Sequence, residues 1–360
     1  MEKKKKRIAA LGGDGIGPEI VNATCHILEG AGFDLEIIKP PNGEAVVEKY
    51  GTAFPEETKR LCGTVDAILY GATGPAGDCV IVYLRWISDN YVNIRPMKYY
   101  PGATSCLKDP TGIDLVFLRE NSEGLIPGRE GDLSLLTQRL PEYKDPKLGK
   151  GFADYGAGKF AVRIVSERGT TRLAKFACEF ALRRKKNGLP GKVTCVHKWN
   201  AFPESDRLFE RIVREEVAKH PELSYDQYLV DDMARRLLRY PREFDVVVID
   251  NMFGDILSDE ASELVGGLGI APSGNVGSKV PYFESVAGSA PKYAGKNVVN
   301  PTATILSAKL MLDYLGMFEE ASALERAVAA VYKEGKSLTY DQGGKASTTE
   351  CAEAILRRIK

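Results

Sequence analysis

Asp255 and Asp259 stand four residues apart in the run Val246-Val247-Val248-Ile249-Asp250-Asn251-Met252-Phe253-Gly254-Asp255-Ile256-Leu257-Ser258-Asp259. An apolar strand runs into a glycine-containing turn, and a helix opening near Gly254 would stack both carboxylates on one face. Just past the carboxyl end of a buried strand, they would face the crevice where open α/β sheets bind ligands. Paired carboxylates need a compensating positive charge, and hard divalent ions such as Mg²⁺ or Mn²⁺ prefer oxygen ligands. The same spacing also fits acids that simply decorate the first turn of a helix, where the dipole favours negative charge.

Other chemistry-bearing residues recur at turn signals. Arg85, Arg95 (in Tyr91-Val92-Asn93-Ile94-Arg95-Pro96) and Arg119 (after Leu115–Leu118) stand near strand ends or turns. Guanidinium groups suit bidentate capture of carboxylates, so three converging arginines would imply an acidic small molecule. Taken singly, each also reads as a surface or ion-pairing arginine. Lys198 closes the strand Val193–Val196; beside other cations in a cleft, such a lysine can act as a base. The loop Gly12-Gly13-Asp14-Gly15-Ile16-Gly17-Pro18-Glu19 would let backbone approach a ligand at a helix N-terminus. It is not the GxGxxG dinucleotide fingerprint, because Pro18 takes the last glycine position.

The elements that must position these residues alternate. Strand-like runs occur at Arg7–Leu11, Leu35–Ile38, Ala67–Tyr70, Leu115–Leu118, Val193–Val196 and Val246–Ile249. Amphipathic helical segments lie between several of them, including one from Pro18 through Leu28 and one over Arg168–Lys186. This alternation predicts α/β architecture with much parallel sheet. The stretch Pro127–Phe160 lacks helical periodicity and reads either as an arm used in oligomerisation or as a long surface loop.

The 360-residue length points to two domains. Basic and acidic residues balance at 49 each, with no domain-scale basic patch for nucleic acid. The Lys3–Arg7 run is a short basic tip without the apolar stretch of a signal peptide, and no segment is long enough to span a membrane. Seven scattered cysteines without a CxxC pair fit reduced thiols in a cytoplasmic protein, with no zinc site.

Together the segments resemble the isocitrate/isopropylmalate dehydrogenase family of metal-dependent β-decarboxylating dehydrogenases. The matches are GDGIGPE (Gly13–Glu19), YVNIRP (Tyr91–Pro96), RENSEG (Arg119–Gly124), HKWN (His197–Asn200), FGDILSDEAS (Phe253–Ser262), GSAPKYAG (Gly288–Gly295) and NPTATILS (Asn300–Ser307). The resemblance implies two α/β domains around a cleft, not a Rossmann fold. The large cofactor-binding domain would be 1–100 plus 265–360; the small domain, 101–264, would carry the dimer contact and the substrate and metal residues. Arg85, Arg95 and Arg119 would hold substrate carboxylates, and Asn200 would lie near the substrate or nicotinamide. Asp231, Asp255 and Asp259 would bind Mg²⁺ or Mn²⁺. Lys198 and Asp231 would be catalytic and reach the site of the partner subunit in a homodimer. Gly288, Ser289, Ala290, Lys292, Tyr293 and Asn300 would bind NADP or NAD.

The chain departs from the family where a tyrosine usually protonates the enol product, because Ile126 stands there. Ala287 likewise replaces a frequent histidine beside the adenine. In the substrate-recognition segment, Ile81 and Val82 are apolar; a buried charge without a partner is costly, so they disfavour an extra γ-carboxylate. An isopropylmalate- or D-malate-like substrate, a 3-substituted (2R)-malate, is therefore expected, with isocitrate or homoisocitrate as the alternative. Lys292-Tyr293 resembles the NADP-type pair, which favours NADP over NAD. A catalytically impaired regulatory or binding paralogue is the reading that Ile126 favours.

Overall fold

The computed structural model describes residues 5–359, so Lys3 and Lys4 of the basic tip lie outside the described residues. The described residues form twelve strands: β1 (Lys6–Gly13), β2 (Leu35–Ile38), β3 (Ala67–Ala72), β4 (Val92–Lys98), β5 (Asp114–Glu120), β6 (Glu130–Asp132), β7 (Lys159–Ala161), β8 (Lys192–His197), β9 (Ser224–Leu229), β10 (Val246–Ile249), β11 (Pro272–Val276) and β12 (Tyr282–Ser285). Ten of them make one sheet in the order β2-β1-β3-β12-β11-β4-β5-β10-β8-β9. Parallel pairing prevails, but β4 runs antiparallel to both β5 and β11, and β11 is antiparallel to β12.

The apolar runs form central strands because both faces are covered. Along β10, Val246 and Val248 join a core with Leu173, Ala177 and Cys178 of the Glu167–Lys186 helix. Val247 and Ile249 point the other way, into a core with Met233, Leu237, Leu257 and Ala261. Burying each such large side chain contributes about 1.5–3 kcal/mol. The Glu167–Lys186 helix starts where the Ser166 hydroxyl accepts from the Gly169 amide at 3.0 Å, a capping bond for a donor the helix cannot satisfy itself.

Strands β1–β4 and β11–β12, drawn from both ends of the chain, fill one half of the sheet; β5, β8, β9 and β10 fill the other. The halves meet along the β4–β5 ladder, where Arg95 pairs with Phe117 and Asn93 with Arg119. The sequence reading missed β4, β9, β11 and β12, as well as the short β6 and β7. Strand β9 is half exposed and polar, and β11 contains Pro272, Ser273, Gly274 and Asn275, a composition that sheet context overrides. In the stretch Pro127–Phe160 the structure forms a small two-stranded sheet, β6–β7, and a short helix, Leu133–Arg139. Leu135, Leu140, Tyr143, Leu148 and Tyr155 are exposed there.

The glycine loop serves mainly to pack the fold. Gly15, at φ +55°, leaves no room for a side chain, since a Cβ would lie 2.0 Å from the Ser289 carbonyl. Asp14 is buried and accepts from the Glu44 amide at 2.6 Å and the Gly74 amide at 2.7 Å. All seven cysteines are free, and no helix among the described residues is long and apolar enough to cross a membrane.

A charged cluster fixes two late helices to the seam. Glu325 bonds Lys98 of β4 at 2.7 Å, Lys309 at 3.2 Å and the Tyr100 hydroxyl at 3.0 Å. Burial would raise its carboxyl, but Lys309 and Lys98 outweigh burial and bring it from 4.5 to about 2. The lowered folded-state value contributes stability above the unfolded-state value, about 3 kcal/mol, that is lost as pH falls from 4.5 towards 2. Glu325→Gln should therefore lower stability at pH 7 and flatten the acid limb between pH 4.5 and 2, as measured by urea unfolding across pH; an unchanged acid limb would count against this cluster.

Candidate active site

The helix carrying the two acids runs Asn251–Glu263 and begins earlier than Gly254. Asp250 caps it, accepting from the Phe253 amide at 2.9 Å. Asp255 and Asp259 therefore lie beyond the first turn, which holds no acid, and dipole decoration does not explain them. Their side chains are 42% and 49% exposed and look out from the same helix face.

Against that face stand two buried arginines. Arg95 is internal to β4, not at its end; its Nη2 lies 3.2 Å from Asp255 Oδ1 and its Nη1 3.0 Å from Asp259 Oδ1. Arg119, near the end of β5, is 1% exposed and also donates to Asp255 Oδ1. Burial pushes the Arg119 guanidinium down to about 9, with Arg95 and then Arg85 adding repulsion while Asp255 opposes it. A guanidinium keeps its proton in proteins, so the shift expresses a demand for more anionic partners. Burial likewise raises the Asp259 carboxyl, opposed by Arg95.

Arg85 sits on the π-helical turn Val82–Ile87, with Nε 3.4 Å from the Tyr282 hydroxyl and Nη2 3.8 Å from Glu284. The structure brings Arg85 and Arg95 near enough to Arg119 for both to act on its charge. What the sequence reading missed is the buried polar scaffold that holds them. Asn93 Oδ1 accepts from Arg95 Nε at 2.6 Å, while its Nδ2 donates to Ser273 at 2.6 Å and Asn275 at 2.8 Å. Asn275 in turn donates to Glu284 at 3.2 Å. Asn251 Oδ1 accepts from Arg119 Nη2 at 2.6 Å. Asn93 and Arg95 share a strand face by the two-residue alternation, the one signal that could have flagged Asn93.

Lys198 follows β8 and Asp231 follows β9; the register His197↔Leu229 brings them side by side, and their side chains bond. That bond lowers the Asp231 carboxyl. Asp231 is not gathered with Asp255 and Asp259: among the described residues no three acidic, histidine or cysteine side chains form a group that could hold a metal. Asn200 is exposed beyond Lys198, and Ile126 is half-buried. Val82 is 39% exposed, whereas Ile81 packs in part against the core around Leu11, Phe54 and Tyr70.

The glycine loop and the segment 288–295 come together. The Ile16 amide donates to the Ser289 carbonyl at 2.9 Å, and Ala290 and Tyr293 pack on Ile16, Ile20 and Val299. Ala290 adopts a left-handed φ of 36°, and Gly288 has open space around it. Lys292 Nζ lies 4.8 Å from the Tyr293 ring centre, and the Tyr293 and Tyr340 rings are 5.8 Å apart. The Asn300 side chain is engaged internally, donating to Tyr332 at 3.1 Å and Asp341 at 2.9 Å.

If Asn93 orients Arg95, Asn93→Ala should leave Ser273, Asn275 and the Arg95 Nε short of partners. We expect a loss of about 1–3 kcal/mol in urea unfolding, together with weaker binding of the acidic substrate. Unchanged stability would contradict the role of Asn93.

Comparison with known proteins agrees with this architecture. The profile of the isocitrate/isopropylmalate dehydrogenase family matches residues 7–355. The chain is 42% identical over 354 residues to the 3-isopropylmalate/3-methylmalate dehydrogenase of Methanocaldococcus jannaschii, covering 98% of this chain and 99% of that protein. It is 37% identical over 368 residues to the homoisocitrate dehydrogenase of the same organism, covering 98% of each. The crystal structure of isocitrate dehydrogenase from Methylococcus capsulatus superposes with a TM-score of 0.85 at 34% identity, covering 98% of this chain and 99% of that one. With its sheet, its arginine–carboxylate cluster and a match along nearly its whole length, this chain belongs to the isocitrate/isopropylmalate dehydrogenase family and is a decarboxylating dehydrogenase.

Proposed function

We propose that the enzyme oxidatively decarboxylates a 3-substituted (2R)-malate with an alkyl substituent or none, using NAD(P) and Mg²⁺ or Mn²⁺. The meeting of Arg95 and Arg119 on Asp255, with Arg95 also on Asp259 and Arg85 nearby, carries this reading. Three guanidinium groups suit the two carboxylates of a malate, and exposed Val82 offers an apolar neighbour for an alkyl branch. The similarity to a 3-isopropylmalate/3-methylmalate dehydrogenase supports the same choice.

Asp255 and Asp259 fit a hard divalent ion, being oxygen donors, half exposed and on one helix face. Such an ion, when bound, acidifies a 2-hydroxyl and polarises the 2-ketone formed from it, and a bound nicotinamide accepts the hydride. The arginines orient the carboxylates so that C2 and its hydroxyl face the acids. Lys198, whose Nζ is oriented by Asp231, would take the hydroxyl proton as the neutral amine, directly or through water, having first given its own proton to solvent. Because Asp231 is not gathered with the other two acids in one chain, we assign Lys198 and Asp231 to the partner's site in a homodimer. The exposed apolar side chains of the segment 127–160 would supply part of the contact. On this reading 1–100 with 265–360, and 101–264, act as the two domains flanking the cleft. Exposed Lys292 and half-buried Tyr293, beside exposed Tyr340, suit a 2′-phosphate and so NADP. The free cysteines suit a cytoplasmic setting.

Ile126 favours a second reading, a paralogue in which product protonation is impaired, because an isoleucine has no proton to give. Both readings are tested by assaying 3-isopropylmalate, D-malate, isocitrate and homoisocitrate with Mn²⁺ and each nicotinamide, following reduced cofactor and carbon dioxide separately. We expect a malate with an alkyl or no 3-substituent to outpace isocitrate and excess chelator to abolish turnover. General-acid help is worth about 10²–10⁴-fold, so Ile126→Tyr should raise protonation of the enol left after decarboxylation, and with it overall turnover, more than the single-turnover rate of hydride transfer. Full activity in chelator, or a preference for isocitrate, would overturn the proposal. Binding of nicotinamide without any turnover would favour the paralogue reading.

A further inference from the structure

Arg163 lies outside every motif named above, in the short connection between β7 and the Glu167–Lys186 helix. Its side chain is only 14% exposed and divides its donors between two buried acids. Nε and Nη2 donate to Asp250 Oδ2 at 2.9 and 2.6 Å; Nη1 donates to Asp206 Oδ1 at 2.5 Å and to the Ser205 hydroxyl at 3.0 Å. The rings of Phe202 and Phe253 lie 5.0 and 5.6 Å from the guanidinium carbon, close enough for cation–π attraction.

Each acid has a second task. Asp206 Oδ2 accepts from the backbone amide of Lys198 at 2.6 Å. Asp250 Oδ1 caps the Asn251–Glu263 helix through the Phe253 amide. One planar cation therefore spans two carboxylates, one fixing the turn that presents Lys198 and the other fixing the start of the helix that carries Asp255 and Asp259. Only a forked donor set can serve both acids at these distances; a lysine ammonium keeps the charge without the geometry.

We propose that Arg163 is a positioning residue that sets Lys198 and the Asp255/Asp259 helix relative to each other. The proposal rests on the roles given above to Lys198, Asp255 and Asp259. In a dimer with shared sites the same contact joins a lysine serving the partner's site to the acids of its own, so it also links the two sites.

The test uses the full-length enzyme. In Arg163→Gln, Mn²⁺ affinity, read by electron paramagnetic resonance without substrate, and kcat should each fall about 10- to 100-fold, the usual effect of losing an outer-shell partner. Arg163→Lys should recover only part of either loss. The branches separate: Asp206→Asn should lower kcat and spare Mn²⁺ affinity, whereas Asp250→Asn should weaken Mn²⁺ binding first. Hydrogen exchange at the Lys198 and Phe253 amides should rise together in Arg163→Gln, a readout that needs neither metal nor turnover. If Arg163→Gln does not fold, the two aspartate variants give the same exchange readout, one amide each. A folded Arg163→Gln with normal exchange at both amides overturns the proposal, as does equal loss of both functions in both aspartate variants. If the wild-type protein binds no Mn²⁺ and oxidises no hydroxy acid while the exchange result holds, the functional reading fails and the positioning role stands.

Discussion

The cleft depends on one forced proximity, that of the Arg95 and Arg119 guanidinium groups, both buried and both reaching Asp255. Two like charges out of water are costly unless anions are held against them. Asp255 and Asp259 supply that compensation from a helix whose cap, Asp250, fixes where they stand. Asn93, Asn251 and Ser258 take up further guanidinium donors. A buried polar network thus lies at the seam where β4 and β5 join the two halves of the sheet.

The arrangement makes the arginines and acids interchangeable partners. In this chain the arginines neutralise Asp255 and Asp259; with a dicarboxylate bound, the same guanidinium groups have better anions to hold. The acids would then be released towards a divalent ion, in the place where a substrate hydroxyl would sit. On the proposed function, substrate and metal would be coupled by charge.

Much of this was legible in the sequence. The apolar runs of β5, β8 and β10 announced central strands because both their faces are covered, and the spacing of Asp255 and Asp259 placed them on one helix face. The start of that helix was not legible, since Asp250 caps it four residues before the glycine that seemed to mark the turn. Strand β11 was hidden because Pro272, Ser273, Gly274 and Asn275 make up most of it, and β12 because it is only four residues long and ends in Glu284 and Ser285; β11 pairs with β4 and β12 with β3. Asn275, Glu284 and Arg163 left no local signal, and Asn93 left only its place on the strand face of Arg95; their roles come from contacts distant in sequence, 182 positions apart between Asn93 and Asn275. The resemblance to the family supplied the convergence of the arginines, and the structure supplied what holds them. Asp231 lies apart from the other two acids within one chain, a separation that sequence order alone does not reveal.

Coupling by charge makes one measurement decisive. Titration calorimetry of Mn²⁺ into the protein, with and without saturating 3-isopropylmalate, reads how far substrate frees the acids from the arginines. Mn²⁺ should bind at least about tenfold more tightly with substrate present, and by linkage substrate should bind more tightly with Mn²⁺ by the same factor. Equal Mn²⁺ affinity in both titrations, with substrate binding demonstrated, would contradict the account.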